Sequence, residues 1–301
     1  MPANLRSRFF TLLVYVAFFA SGASCLIAEV TWNRMLIVVV GNSLSAAAMI
    51  LVIFMGGLGL GSWAGGRVLA RRSPSLLPYL LLETTIGAYV LASPALFDLL
   101  ARVFASLAEG GSDAAGLSAA RIVVTMAALF LPAAMMGATF PAMISGASPD
   151  SPARLSARTG YLYGVNTLGA AVGCFAAGYH LLFELGVRFT LNVAGALYAV
   201  AAAAALAAGR LAAPRSADAG DTSPTPAPEG SAGDADAALR RLLYGATLGI
   251  GFVALAYEVL LTRLSILYLG NAVSVFPLVL TAFLLGRGAS ALAGTWVYGV
   301  A

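Results

Sequence analysis

The sequence predicts an all-α integral membrane protein of about eight transmembrane helices, split into two unequal parts by a polar linker. Three observations predict it. Apolar residues fill 60% of the 301 positions and charged residues only 10%, with a mean hydropathy of +0.90. A soluble domain carries about 25% charged residues to solvate its surface, so the soluble classes are excluded. The arginines gather at the ends of apolar runs, and one pair of those runs returns in register further along the chain.

A bilayer core about 30 Å thick takes roughly 20 apolar residues per helix. That ruler gives spans at 9–31, 44–68, 76–94, 119–145, 160–183, 188–209, 242–262 and 272–298. The first follows Arg6 and Arg8. Ala23-Ser24-Cys25 echoes a lipoprotein cleavage site, but Gly22 stands where such a site has a branched apolar residue, so the run is read as a retained helix. After the third span, Leu96, Leu99, Leu100, Val103, Phe104 and Leu107 recur at helical spacing around Asp98 and Arg102. From Pro94 to Gly111 this predicts an amphipathic helix lying at the membrane interface. Residues 211–238 mix Pro214, Pro224, Pro226 and Pro228 with Ser, Asp, Gly and Ala and have almost nothing to bury. They are expected to be a disordered cytoplasmic linker between a six-helix domain, 1–210, and a two-helix part, 239–301.

Every basic residue is Arg, and with so much Ala and Gly this fits a GC-rich bacterial genome. With the N-terminus inside, cytoplasmic segments hold Arg6, Arg8, Arg67, Arg71, Arg72, Arg154, Arg158, Arg210, Arg215, Arg240 and Arg241. The outer side holds Arg34, Arg102, Arg121, Arg188 and Arg263, with Arg287 inside the last span. This bias predicts an inner-membrane protein with both termini in the cytoplasm. Because the arginines mark helix ends, the +4 net charge is not a nucleic-acid footprint. Cys25 and Cys174 lie inside apolar runs, and two isolated thiols predict neither a disulfide nor a metal or redox site.

Displacing the chain by 229 positions lays Gly22–Val68 over Gly251–Val297 with 16 identities in 47 positions and no gap. Glu29 meets Glu258, Arg34 meets Arg263, Gly41-Asn42 meets Gly270-Asn271, and Gly57, Gly59 and Gly65 meet Gly286, Gly288 and Gly294. Similar helix composition alone does not align charged residues and Gly-Asn turns in one register, so this is an internal repeat. Six helices separate the copies, an even number, so they run in the same direction, as in the parallel repeat of major-facilitator transporters. The second half stops after two helices, and the sequence is therefore expected to be a fragment or a shortened product.

Gly59-x-Gly61-x-x-Ala64 matches a dinucleotide fingerprint only superficially, because no strand precedes it. Gly57, Gly61 and Gly65 at four-residue spacing instead make a small-residue face for helix packing, and Gly169 and Gly173 read the same way. Ionisable groups inside a bilayer are costly, so each prompts a functional hypothesis. Glu29, Glu83 and Glu258 are candidates for cation binding or proton relay. The structural alternative pairs Glu29 and Glu258 across the bundle with Arg34, Arg263 or Arg287. Five residues separate each Glu from its following Arg, about 140° apart on a straight helix, so a pair within one helix is poor. His180 and Glu184 share a face, but no third metal ligand is evident. No nucleophile–base pair or nucleotide-binding unit is visible, so no catalytic residue and no cofactor is expected.

"SGASCLIAEVTWNRML" and "GFVALAYEVLLTRLSILYLGN" resemble the helix-opening segments of bacterial membrane proteins fused to spermidine synthase. "FMGGLGLGSWAGGRV", "LPAAMMGATFPAM" and "GYLYGVNTLGAAVGCFAAGYHLLFELG" resemble, in order, that family's glycine-rich, Pro-Gly and Asn-containing helices. Ala28 departs from the motif's usual Tyr, which Tyr257 keeps in the second copy. The resemblance implies a major-facilitator-like membrane region joined to a cytoplasmic aminopropyltransferase-like domain that acts on putrescine. No such domain lies within the 301 residues, so none of its catalytic residues is carried over. What it implies here is a membrane domain that anchors or supplies a polyamine-related activity and binds a cationic amine. A stand-alone transporter of a small solute and a non-catalytic scaffold are the alternatives. The expected partners are the bilayer, an aminopropyltransferase-like domain or protein, and a second copy of the chain.

Overall fold

A computed structural model describes residues 3–40, 43–109, 114–147, 152–212, 234–269 and 272–299. Among them there are helices and no strands. The helices are α1 (Ala3–Val40), α2 (Ser43–Leu69), α3 (Leu77–Glu109), α4 (Ala114–Ala147), α5 (Pro152–Ala176), α6 (Gly186–Leu211), α7 (Asp234–Leu269) and α8 (Ala272–Gly299). A π-helical segment, Ala177–Leu185, joins α5 to α6. Seven runs are long and apolar enough to cross a membrane, and one of them, Arg158–Leu211, contains both α5 and α6. By length and composition the chain is a multi-pass helical membrane protein. The expected linker lies outside the described residues over 213–233, as do the Gly41-Asn42 and Gly270-Asn271 turns.

The expectation of a separate interfacial helix from Pro94 is overturned, because α3 runs unbroken from Leu77 to Glu109. Proline removes the N–H that would engage the carbonyl four residues back, here that of Val90. The Ser93 hydroxyl donates to that carbonyl at 2.8 Å and so replaces the lost donor. The same repair recurs in α4, where Pro132 abandons the Ala128 carbonyl and the Tyr89 hydroxyl donates to it at 2.7 Å. In lipid, where water supplies no partner, such substitution lets a proline stay inside a helix.

Small residues set the helix spacing. A methyl group at Gly57, Gly61 or Gly65 of α2 would collide with Ala133, Ala134 or Ala138 of α4. Gly169 and Gly173 of α5 lie against the Phe19 and Ala23 carbonyls of α1, and Gly22 of α1 lies against Asn166. The Asn166 amide donates to the Phe18 carbonyl at 2.9 Å. Gly160, Gly164 and Gly178 meet Thr295, Leu292 and Pro277, so α8 runs antiparallel along α5 and the π segment. α1 is thus the central helix, enclosed by α2, α5 and α6. α7 packs closely on α8, and most of its surface is open.

The polar contacts at the ends agree with a bundle that folds back repeatedly. Arg6 donates to the Leu211 carbonyl at 2.7 Å, placing the start of α1 beside the end of α6. At the opposite end Arg121 donates to the Val39 carbonyl at 2.6 Å, and Arg188 pairs with Asp98 at 2.6 Å.

Candidate functional site

The three intramembrane carboxylates are all buried, and each keeps one oxygen without a hydrogen-bond partner. Glu29 projects from α1, and Glu258 projects from α7 within electrostatic reach of it. Glu83 projects from α3 and meets α1 at Ser21, about two helical turns before Glu29. Its Oε1 accepts from the Ser21 hydroxyl at 2.7 Å, and Tyr79, whose hydroxyl donates to the Ala17 carbonyl, lies beside it.

Two further residues belong with the Glu29–Glu258 pair. Asn33 and Thr262 each lie one helical turn after a carboxylate, on the same face, and both are less than a tenth exposed. Asn33 Oδ1 and Thr262 Oγ1 have no hydrogen-bond partner. Thr262 shares this with Thr281, whereas several other buried hydroxyls close back on their own helix. Ser24 donates to Ala20, Thr31 to Ile27 and Thr190 to Gly186. The shift of 229 that aligns the glutamates also aligns Asn33 with Thr262. That signal is present in the sequence but is missed by counting identities, since the position is polar in both copies without being the same residue.

The remaining wall comes from α5 and α8. The Cys174 thiol lies at 3.5 Å from the Pro277 carbonyl, beside the Thr281 hydroxyl and within electrostatic reach of Glu29 and Glu258. Asn33 and Pro277 line a small crevice with Gly178, at the start of the π segment. π-Helical turns widen a helix locally and often occur at functional sites. The site thus gathers two carboxylates, an amide and two hydroxyls, and Arg34 lines the crevice at Asn33 as well. Such a lining suits a cation that brings its own hydrogen-bond donors or accepts oxygen ligands.

The arginines expected to neutralise the carboxylates do not do so within ion-pair distance. Arg34 instead lies over the Phe183 ring, 5.6 Å from its centroid, and Arg263 is exposed. The angular offset of five residues turns both arginines away from their glutamates, as the helical geometry requires. Arg287 comes nearest, within electrostatic reach of Glu258, but it is itself exposed. It lines a crevice of 540 Å³ between α7 and α8 with Ser265 and Ser290. The ion pairs among the described residues are Arg188–Asp98 and, at 3.7 Å, His180–Glu184, both at the surface. The five packing glycines lie at helix–helix contacts, with Gly173 next in sequence to Cys174.

Comparison with protein-family models, with curated proteins and with solved structures finds no match to this chain.

Proposed function

We propose that this chain is the membrane domain of a spermidine-synthase-like system, and that its two repeat copies meet around a binding site for a cationic amine. One observation carries the reading. Equivalent positions of the two copies, Glu29 with Asn33 and Glu258 with Thr262, bury four side chains whose oxygens lack donors. Two ionised carboxylates brought together away from any ion-pair partner are costly unless a proton or a cation joins them. A primary ammonium supplies three donors and one positive charge, which answers both deficits. Eight spans in a parallel repeat, an inner-membrane location and cytoplasmic termini complete the proposal. They rest on the shift of 229 and on the arginine bias.

The scaffold reading draws on a different observation, the open apolar surface of α7. Leu248 is 77% exposed and Phe252 72% exposed. Such a helix docks either lipid or partner helices.

The deciding measurement is binding of putrescine and spermidine to the purified protein in detergent. Wild type is expected to bind saturably, and Glu29→Gln or Glu258→Gln to weaken binding at least tenfold while the protein stays folded. Removing one side of a charge-assisted contact of about 1.5–3 kcal/mol predicts that size. Absence of saturable binding in wild type would leave the scaffold reading.

A further inference from the structure

Ser21, Cys25, Glu29 and Asn33 follow one another at four-residue spacing along α1. Ser21, Glu29 and Asn33 are buried and Cys25 is partly buried. On an α-helix each step of four residues turns a side chain by about 40°, so the stripe winds roughly 120° around the helix. At Ser21 it faces α3 and hydrogen-bonds Glu83. At Asn33 it faces Pro277 of α8 and the π segment. Cys25, midway, lies within electrostatic reach of both Glu83 and Glu29. The two carboxylate environments, set about two helical turns apart along α1 and a quarter-turn around it, are therefore joined by one polar seam.

The Glu83 end of the seam differs chemically from the Glu29–Glu258 end. Facing Glu83 are Ser21 and Cys25 from α1, Tyr79 from α3 and Tyr198 from α6. None of these is a cation, and no second carboxylate stands close by. Tyr198 seats its Cβ over Gly87, one turn beyond Glu83 on α3. Its hydroxyl and Glu83 Oε2 are both buried without partners. A proton on Oε2 removes the buried charge and turns that oxygen from an acceptor into a donor.

We propose that Glu83 is a proton-binding site coupled to the cation site, so that binding at Glu29 and Glu258 is exchanged for a proton on Glu83. The inference rests on the cation-site reading given above. The coupling is electrostatic. Eight residues separate Ser21 from Glu29, a rise of about 12 Å. At an effective dielectric of about 20, one positive charge at that distance changes proton affinity about tenfold. A bound cation thus expels the Glu83 proton to solution, and by reciprocity a proton on Glu83 weakens cation binding by the same factor.

The test uses the full chain in detergent with putrescine as the probe, titrated in weakly buffered solution with a pH indicator. Wild type is expected to release protons as putrescine binds, with an apparent affinity that falls about tenfold as pH is lowered through the Glu83 titration. Glu83→Gln is expected to bind with about one proton fewer released and a shallower pH dependence, the remainder being protons that the cation displaces from Glu29 and Glu258, and Glu83→Asp to restore both. Should Glu83→Gln fail to fold, Ser21→Ala, which deletes the donor to Oε1, is expected to move the midpoint of the pH dependence. Binding with the same proton release in Glu83→Gln, or an unmoved midpoint in Ser21→Ala, would overturn the coupling and leave the cation site standing. No putrescine binding by wild type would sink the cation site and the coupling together.

Discussion

α1 and α7 carry closely related sequences in opposite surroundings. Both have Gly, Glu, Val and Arg at matching positions, yet α1 is enclosed by α2, α5 and α6 while α7 packs chiefly on α8. Gly22 lies against the Asn166 backbone, whereas its counterpart Gly251 has no atom within 4 Å of where a side chain would begin. Trp32 is wholly buried, donates to Ser93 at 3.0 Å and packs against Phe54 and Tyr89. Its counterpart Leu261 lines the crevice toward Arg287. Equivalent sequences thus retain the same face-forming pattern whether or not a neighbour fills it. Glu29 and Glu258 are the exception: both are buried, and both lie within electrostatic reach of Cys174 on α5.

The comparison is broken most severely at the glycines. Gly22→Ala should destabilise the protein by about 3 kcal/mol or more, since the new methyl group meets backbone that cannot rotate away. Gly251→Ala should be neutral or stabilise α7 by up to about 1 kcal/mol, because the helix gains propensity and meets nothing. Thermal unfolding of the two variants in the same detergent reads both signs. An equal loss in both would mean that α7 is as enclosed as α1.

Trp32→Leu gives the first copy the residue of the second, and is expected to cost about 3 kcal/mol through lost packing and the lost hydrogen bond to Ser93. Leu261→Ala should cost under about 1 kcal/mol. Near-equal losses would erase the distinction between the copies. The smallest contrast lies at the arginines. Arg34→Gln removes a contact over Phe183 worth about 0.5–1 kcal/mol, while Arg263→Gln should stay within about 0.5 kcal/mol. A large loss at Arg263 would point to a partner that the open side chain engages.

Some of the candidate site is legible in the sequence. Repetition alone singles out Glu29 and Glu258, since a carboxylate kept in register inside two apolar runs is improbable from composition. Asn33 and Thr262 are legible only when polarity rather than identity is aligned. The seam from Ser21 to Asn33 has a readable spacing, but its meaning requires Glu83 at one end and Pro277 at the other, and these are 62 and 244 positions from their α1 contacts. That Arg34 does not pair with Glu29 along α1 is legible from the helical step, but its place over the Phe183 ring is not. Pro94 misled because its effect depends on a hydroxyl donor, and nothing in the local pattern says that Ser93 turns back toward Val90.

What the sequence by itself determined is the class and the periodicity: an all-helical membrane chain, its apolar runs, and a repeated helix pair carrying buried acids. These follow from burial and helical geometry, which act locally and are written into composition and spacing. Only the tertiary structure decided which faces meet. It placed the glycines of α2 on α4 and those of α5 on α1, left α7 largely open, and separated Glu83 from the Glu29–Glu258 pair. The reason is physical: in lipid, the hydrophobic drive between helices is weak, so association is settled by close fit and by the few polar groups that find partners.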